Sequence, residues 1–290
     1  MNVNNVIRGS VFTIILLMLT ACVSIPKVEE RSDTANQLAA HFGWQSYIIT
    51  TDSFNLMSYQ ARQFSPESIL TIYIEGDGFA WRTRSIPSMD PTPINPVGLQ
   101  LALNHPGGSN AVYLARPCQY VGGANAIACD KNDWTTGRFS EEVIAMSNQA
   151  VTALKAKFGA SQLQLIGYSG GGAVAALIAA RRSDVIRLIS IAGNLDHQAW
   201  TKEKHLSPLT GSLNPVDYWR ELTPIEQIHF IGGNDPIMGS FVAQSYQRHF
   251  NGEGRIQIIT LPDFDHHCCW AEQWGTLSLP YLMYNDYHEK

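Results

Sequence analysis

A chain of 290 residues with 45% hydrophobic and 16% charged content can bury a sizeable core, which excludes a disordered protein. Its formal net charge of −5, with no clustering of Lys and Arg, argues against nucleic acid as a partner. The length admits one large α/β domain or two small ones.

The N-terminal segment reads as an address. Arg8 supplies a positive start, and Val11 to Leu19 form an apolar stretch too short for a comfortable membrane span. It runs into Leu19-Thr20-Ala21-Cys22, which resembles a bacterial lipobox. The resemblance implies a signal peptide over residues 1–21, cleavage before Cys22, and acylation of its thiol and new amino group. A lipid bilayer is then an expected partner. Val23, where an aspartate would favour inner-membrane retention, makes the periplasmic face of the outer membrane the expected location. Residues 22–44, polar and mixed over most of their length, read as a tether, and residues 45–290 as one domain.

From Tyr47 the apolar runs take on an α/β rhythm. Tyr47–Thr50 and Leu56–Tyr59 read as an antiparallel pair joined by a turn near Asp52 and Ser53. Leu70–Ile74 and Ala111–Ala115 are β-branched, apolar runs suited to central strands. Ser140 can cap a helix with Glu141 and Glu142 in its first turn and Gly159 at its end. Val143, Met146, Ala150, Leu154 and Phe158 then share one face. Strands follow at Leu163–Ile166, Val185–Ile191, Ile228–Ile231 and Ile256–Thr260, with a helix expected over Gly172–Ala180. Alternation of this kind predicts right-handed crossovers and a mostly parallel central sheet flanked by helices. Two stretches, 79–98 and 195–224, lack regular structure on this reading. Loops of that length are usually functional, and the second leaves room for at most a small cap.

The chemistry centres on Gly167-Tyr168-Ser169-Gly170-Gly171, between a strand and a helix. In that setting G-x-S-x-G marks a tight turn that exposes a strained serine, with glycines where a Cβ would strike a neighbour. A serine hydroxyl is a weak nucleophile and needs a base, which needs an orienting acid. Asp235, in Asn234-Asp235-Pro236, follows one strand, and His266-His267 follow the next. His266 is preferred as base on its loop position, with His267 the alternative. Asp196, one strand earlier than Asp235, is the alternative acid.

The order Ser, Asp, His at successive strand ends resembles the α/β-hydrolase superfamily, and the resemblance runs from about Tyr47 to the C-terminus. It implies the α/β-hydrolase fold, Ser169 as nucleophile, Asp235 as acid, and His266 or His267 as base. It also implies two backbone donors for an oxyanion, one from Gly170 and one from the loop Glu75-Gly76-Asp77-Gly78. Relatives usually have His-Gly where this chain has Glu75-Gly76, and alignment of that pair points to the amide of Asp77, with Gly78 next. The Asp77 carboxylate must then point away or meet a cation such as Arg82 or Arg84. More narrowly, the chain is similar to exported bacterial α/β-hydrolases that pair Glu75-Gly76-Asp77-Gly78-Phe79-Ala80-Trp81 with Arg116-Pro117-Cys118-Gln119-Tyr120 and a late His-x-Cys-Cys-Trp.

Export permits disulfides. Cys118 and Cys129 flank a Gly-rich loop that is easily closed, whereas Cys268 and Cys269 are open to a vicinal bond, free thiols or cross-pairing. His266-His267-Cys268-Cys269 is a poor metal site, because adjacent side chains cannot all face one ion. No cofactor is called for. The expectation is a membrane-tethered serine hydrolase acting on a small acyl substrate such as a carboxylic ester. A peptidase or acyltransferase with the same triad, or a non-catalytic binding lipoprotein on a hydrolase scaffold, are the alternatives.

Overall fold

Register, more than strand count, determines what this architecture can do. The computed structural model describes residues 25–64, 67–107 and 110–282. Its eight strands are β1 (Trp44–Thr50), β2 (Asn55–Ala61), β3 (Ile69–Ile74), β4 (Ala111–Leu114), β5 (Gln162–Tyr168), β6 (Val185–Ile191), β7 (Glu226–Gly232) and β8 (Arg255–Leu261). They form one sheet in the order β1-β2-β4-β3-β5-β6-β7-β8. The β1–β2 and β2–β4 pairings are antiparallel and all others parallel.

Ile74 of β3 aligns with Gly167 of β5, Gly167 with Ser190 of β6, and Gly232 of β7 with Leu261 of β8. The loops after these five strands therefore emerge at one edge of the sheet. After β3 the chain moves outward to β4, then returns across β3 to β5. Successive connections diverge at that point and open a crevice, the usual place for a site in a parallel sheet.

The helices are α1 (Val28–His41), α2 (Val97–Leu103), α3 (Glu141–Phe158), α4 (Gly170–Ala179), α5 (His197–Glu203), α6 (Trp219–Leu222), α7 (Ser240–His249) and α8 (Trp270–Leu282). Ser140 caps α3 by accepting from the Val143 amide, and Gly159 ends it in the left-handed conformation. All five apolar positions of the expected α3 face are buried. The Ala-rich α4 is buried along its whole length, because small side chains let it lie close against the central strands. Trp274 of α8 is fully buried and donates its indole N–H to Tyr73 of β3 at 2.8 Å.

Two expectations are corrected. Residues 28–41, read as part of a tether, form α1, which packs on the domain through Arg31, Ala35 and Ala39. The signal was weak because its buried stripe, at i, i+4 and i+8, consists of two alanines and an arginine. The segment 195–224 also carries structure, in α5 and α6. The signal-peptide and lipobox positions, including Cys22, lie outside the described residues. Among those described, no helix is long and apolar enough to cross a membrane.

Candidate active site

Ser169 sits between β5 and α4 with φ 51° and ψ −120°, a conformation that L-residues rarely adopt. The turn holds because its neighbours lack side chains. A Cβ on Gly171 would run into the carbonyl oxygens of Ile74 and Glu75. The Ser169 amide is tied to the Ile191 carbonyl at 2.9 Å, so the strain is borne by the sheet itself.

The loops after β7 and β8 bring the other members in. His266 Nε2 lies 3.0 Å from Ser169 Oγ, and His266 Nδ1 lies 2.8 Å from Asp235 Oδ2. The carboxylate only accepts, so Nδ1 carries the proton and Nε2 presents its lone pair to the serine hydroxyl. Asp235 Oδ1 accepts from the amides of Ile237 at 2.7 Å and Met238 at 2.8 Å. Burial opposes ionisation of Asp235. The hydrogen bond and charge interaction with His266, helped by those amides, outweigh it and hold the carboxyl below its ordinary range. Trp200 pins the same loop by donating to the Ile237 carbonyl at 3.0 Å.

The two alternative residues are placed elsewhere. Asp196 caps α5, accepting from Ala199 N at 3.1 Å, Asn214 Nδ2 at 3.0 Å and Ser245 Oγ at 2.7 Å. His267 lies exposed beside His266 at the border of the same cavity, with its Nδ1 3.1 Å from the Tyr168 hydroxyl and no contact to Ser169 or Asp235 among the described residues. That hydroxyl donates to the His266 carbonyl at 2.9 Å, so Tyr168 braces the histidine loop from the residue next to Ser169.

The loop after β3 is built on buried charge. The Asp77 carboxylate lies between Arg116, at 3.2 Å, and Arg138, with both guanidinium groups nearly inaccessible. Arg82 and Arg84, the cations expected for it, are exposed instead. Burial pushes the Asp77 pKa up, but the two arginines outweigh it and hold the carboxyl below its usual range. A Cβ on Gly170 would strike this carboxylate, so the charge rests against the first residue of α4. The Asp77 amide makes no hydrogen bond among the described residues, and the Gly170 amide, at the first turn of α4, makes none either.

Glu75, which stands in place of the usual histidine, is buried and clamps this loop to α2. It accepts from the amides of Gly76 at 2.8 Å, Gly98 at 3.1 Å and Leu99 at 3.4 Å. Burial pushes its carboxyl up to about 7, against the pull of those amides. Gln119 adds a further brace, donating to the Gly76 carbonyl at 3.0 Å. It lies in the loop closed by the Cys118–Cys129 disulfide, and Cys268 and Cys269 are also joined. The roles of Arg138 and Gln119 were missed in the sequence, where nothing local links them to Gly76 or Asp77.

These parts border a cavity of about 680 Å³. One wall is polar (Ser169, His266, Asp77, Arg138), and the rest is mainly apolar, with Phe79, Trp81, Ile94, Trp200, Ile237 and Met238. Among the described residues no group of His, Cys, Asp and Glu is arranged to hold a metal ion.

No family model matches the sequence, and no curated protein matches it either. Solved structures do. The esterase Pf2001 from Pyrococcus furiosus superposes with a TM-score of 0.58 at 14% identity, over 85% of this chain and 91% of that one. Est1E from Butyrivibrio proteoclasticus gives 0.55 at 13% identity, over 81% and 98%. An alpha-beta serine hydrolase homologue from Coxiella burnetii gives 0.51 at 12%, over 81% and 94%. Together with the eight-stranded, mostly parallel sheet and its flanking helices, these likenesses establish the α/β-hydrolase fold.

Proposed function

We propose that the protein is a serine hydrolase that cleaves a carboxylic ester, or a related acyl bond, through an acyl-enzyme. The observation that carries this reading is the unbroken chain Asp235–His266–Ser169, at 2.8 Å and 3.0 Å, opening on a cavity. Ser169 Oγ attacks the acyl carbon as its proton passes to His266 Nε2. Asp235 holds the ring in the tautomer that can accept it and stabilises the imidazolium. The oxyanion is received by the amides of Gly170 and Asp77 at the positive end of α4. His266 then returns the proton to the leaving alcohol, and water repeats the sequence to release the acid.

The apolar cavity wall supports an acyl group of some size, and the names of the solved neighbours, esterase and serine hydrolase among them, agree with this chemistry. The reading includes lipidation at Cys22, which tethers the enzyme in a bacterial envelope. Fluorophosphonate labelling tests it: the wild type should be modified and Ser169→Ala should not. Labelling that persists in the alanine variant removes Ser169 from its role, and inertness of folded wild type removes the hydrolase reading. A series of p-nitrophenyl esters of increasing chain length then ranks the acyl preference.

A further inference from the structure

The position of α1 determines where an anchor at Cys22 leaves the domain. Strand β1 is antiparallel to β2 and β2 is antiparallel to β4, so β1 runs parallel to β4 and points towards the edge that carries Ser169. Helix α1 enters β1 through a two-residue turn and must run the opposite way. Its first turn therefore lies at the Ser169 edge. The contacts agree: Arg31 reaches the carbonyls of Asp90 and Thr92 in the long loop after β3, and its guanidinium lies 5.4 Å from the centre of the Phe79 ring in the cavity wall. Two residues, Val23 and Ser24, separate Cys22 from Ile25, and the three steps between them reach about 10 Å at full extension.

The surface around that point is unusual for one facing only water. Ten large apolar side chains are exposed among the described residues, and six belong to this edge. Ile25 precedes α1. Ile86, Met89 and Ile94 lie in the loop after β3, Ile127 in the disulfide-closed loop after β4, and Ile237 in the loop after β7. The first two of these loops touch, through Ala124 N to Met89 O at 2.8 Å. Ile94 and Ile237 also line the cavity, so the apolar surface is continuous with the mouth. Arg82 and Arg84 stand exposed beside Ile86, within reach of anionic headgroups.

We propose that this edge docks on the phospholipid bilayer that holds Cys22, with Ile86, Met89 and Ile127 entering the interface, and that the acyl substrate reaches Ser169 from the lipid phase. The proposal rests on the reading of Cys22 as lipidated. Apolar side chains at the interface and cations on the headgroups are the two contributions that hold a peripheral surface in a membrane. The lipid anchor alone keeps the protein near the bilayer but does not orient the mouth.

The test uses the full acylated chain reconstituted in vesicles of phosphatidylethanolamine and phosphatidylglycerol. It compares wild type with the combined variant Ile86→Ser, Met89→Ser, Ile127→Ser, none of which lines the cavity. Hydrolysis of dissolved p-nitrophenyl acetate should agree to about twofold, which shows an intact fold and site. Hydrolysis of p-nitrophenyl palmitate held in the same vesicles should fall about tenfold or more. Hydrogen exchange at residues 82–90 should be slowed on vesicles in the wild type and not in the variant. Equal rates on the embedded ester together with equal exchange overturn the docking surface, as does a mature chain whose mass shows no acyl groups. A wild type inert to both esters, yet protected at residues 82–90 on vesicles, breaks the hydrolase reading and leaves the docking surface standing.

Discussion

The two halves of the candidate active site reach pre-organisation by different physical means. On the β5, β7 and β8 side, backbone does the positioning. Ser169 is held by a strained turn fastened to β6, and Asp235 by two amides of its own loop. On the β3 side, buried side-chain charge does it, with Glu75 clamping the loop to α2 and Asp77 held between two arginines. The first arrangement fails abruptly when a participating group is lost. The second contains several partly redundant contacts and one carboxyl that titrates near neutrality.

The sharpest way to break this contrast is Asp235→Asn. An amide there donates where the carboxylate accepted, favours the wrong His266 tautomer and removes the charge that stabilises the imidazolium. Turnover should fall by about three to four orders of magnitude with the fold retained. Asp196→Asn, by contrast, should leave turnover within a few-fold and lower stability modestly, because it weakens an α5 cap outside the Ser169–His266 line. Steady-state kinetics on both variants separate the two. If Asp196→Asn gave the larger loss, the acid would have been misplaced.

The second effect in size is a dependence of stability on pH that Glu75 should give the β3 side. Glu75 is buried, and its carboxyl is pushed from 4.5 up to about 7 in the folded protein. Between those values the native state holds a proton that the unfolded chain has released, so stability falls as pH rises across that window. The upper limit of the loss is about 3 kcal/mol by pH 8. Glu75→Gln should remove the dependence, so its denaturant midpoint, compared with that of the wild type, improves steadily from pH 5 to pH 8. Parallel curves would mean that the three amides keep Glu75 ionised throughout, and the contrast between the two halves would lose its titrating member.

The same contrast explains which parts of the molecule were legible in the sequence. The elbow at Gly167–Gly171, the α3 cap at Ser140 and the acidic and histidine loops are local patterns, in which residue type and spacing alone dictate the geometry. The clamp on Asp77 is not local. Its arginines lie 39 and 61 residues further along the chain, and Arg138 occupies an irregular stretch with no periodicity to mark it. Arg82 and Arg84 were the obvious partners because they are near in sequence, yet the chain folds them outward. Glu75 could be seen to depart from the usual histidine, but its three amide partners depend on where α2 docks. Helix α1 was missed for a similar reason, since its Ala35 and Ala39 contribute little hydrophobic signal even where both are fully buried.

The smallest of these effects concerns Arg138, and it bears most directly on whether the charged half serves catalysis or only folding. Asp77 with Arg116 and Arg138 leaves one net positive charge beside the oxyanion position proposed above, with both guanidinium groups nearly closed to water. In such surroundings a fixed charge acts strongly on a charge that appears only in the transition state. Arg138→Met removes it while Arg116 still pairs with Asp77, so the carboxylate is not abandoned. The kcat should then fall about tenfold to a hundredfold with KM nearly unchanged, since a ground-state ester carries no charge to feel the loss. Arg138→Lys, which restores the charge but not the fork, should recover part of kcat. A variant that loses stability but keeps its kcat would make the arginine pair a brace for the Glu75–Gly78 loop and no more. The oxyanion would then be left to the backbone amides alone, and both halves of the site would act on the reaction through backbone.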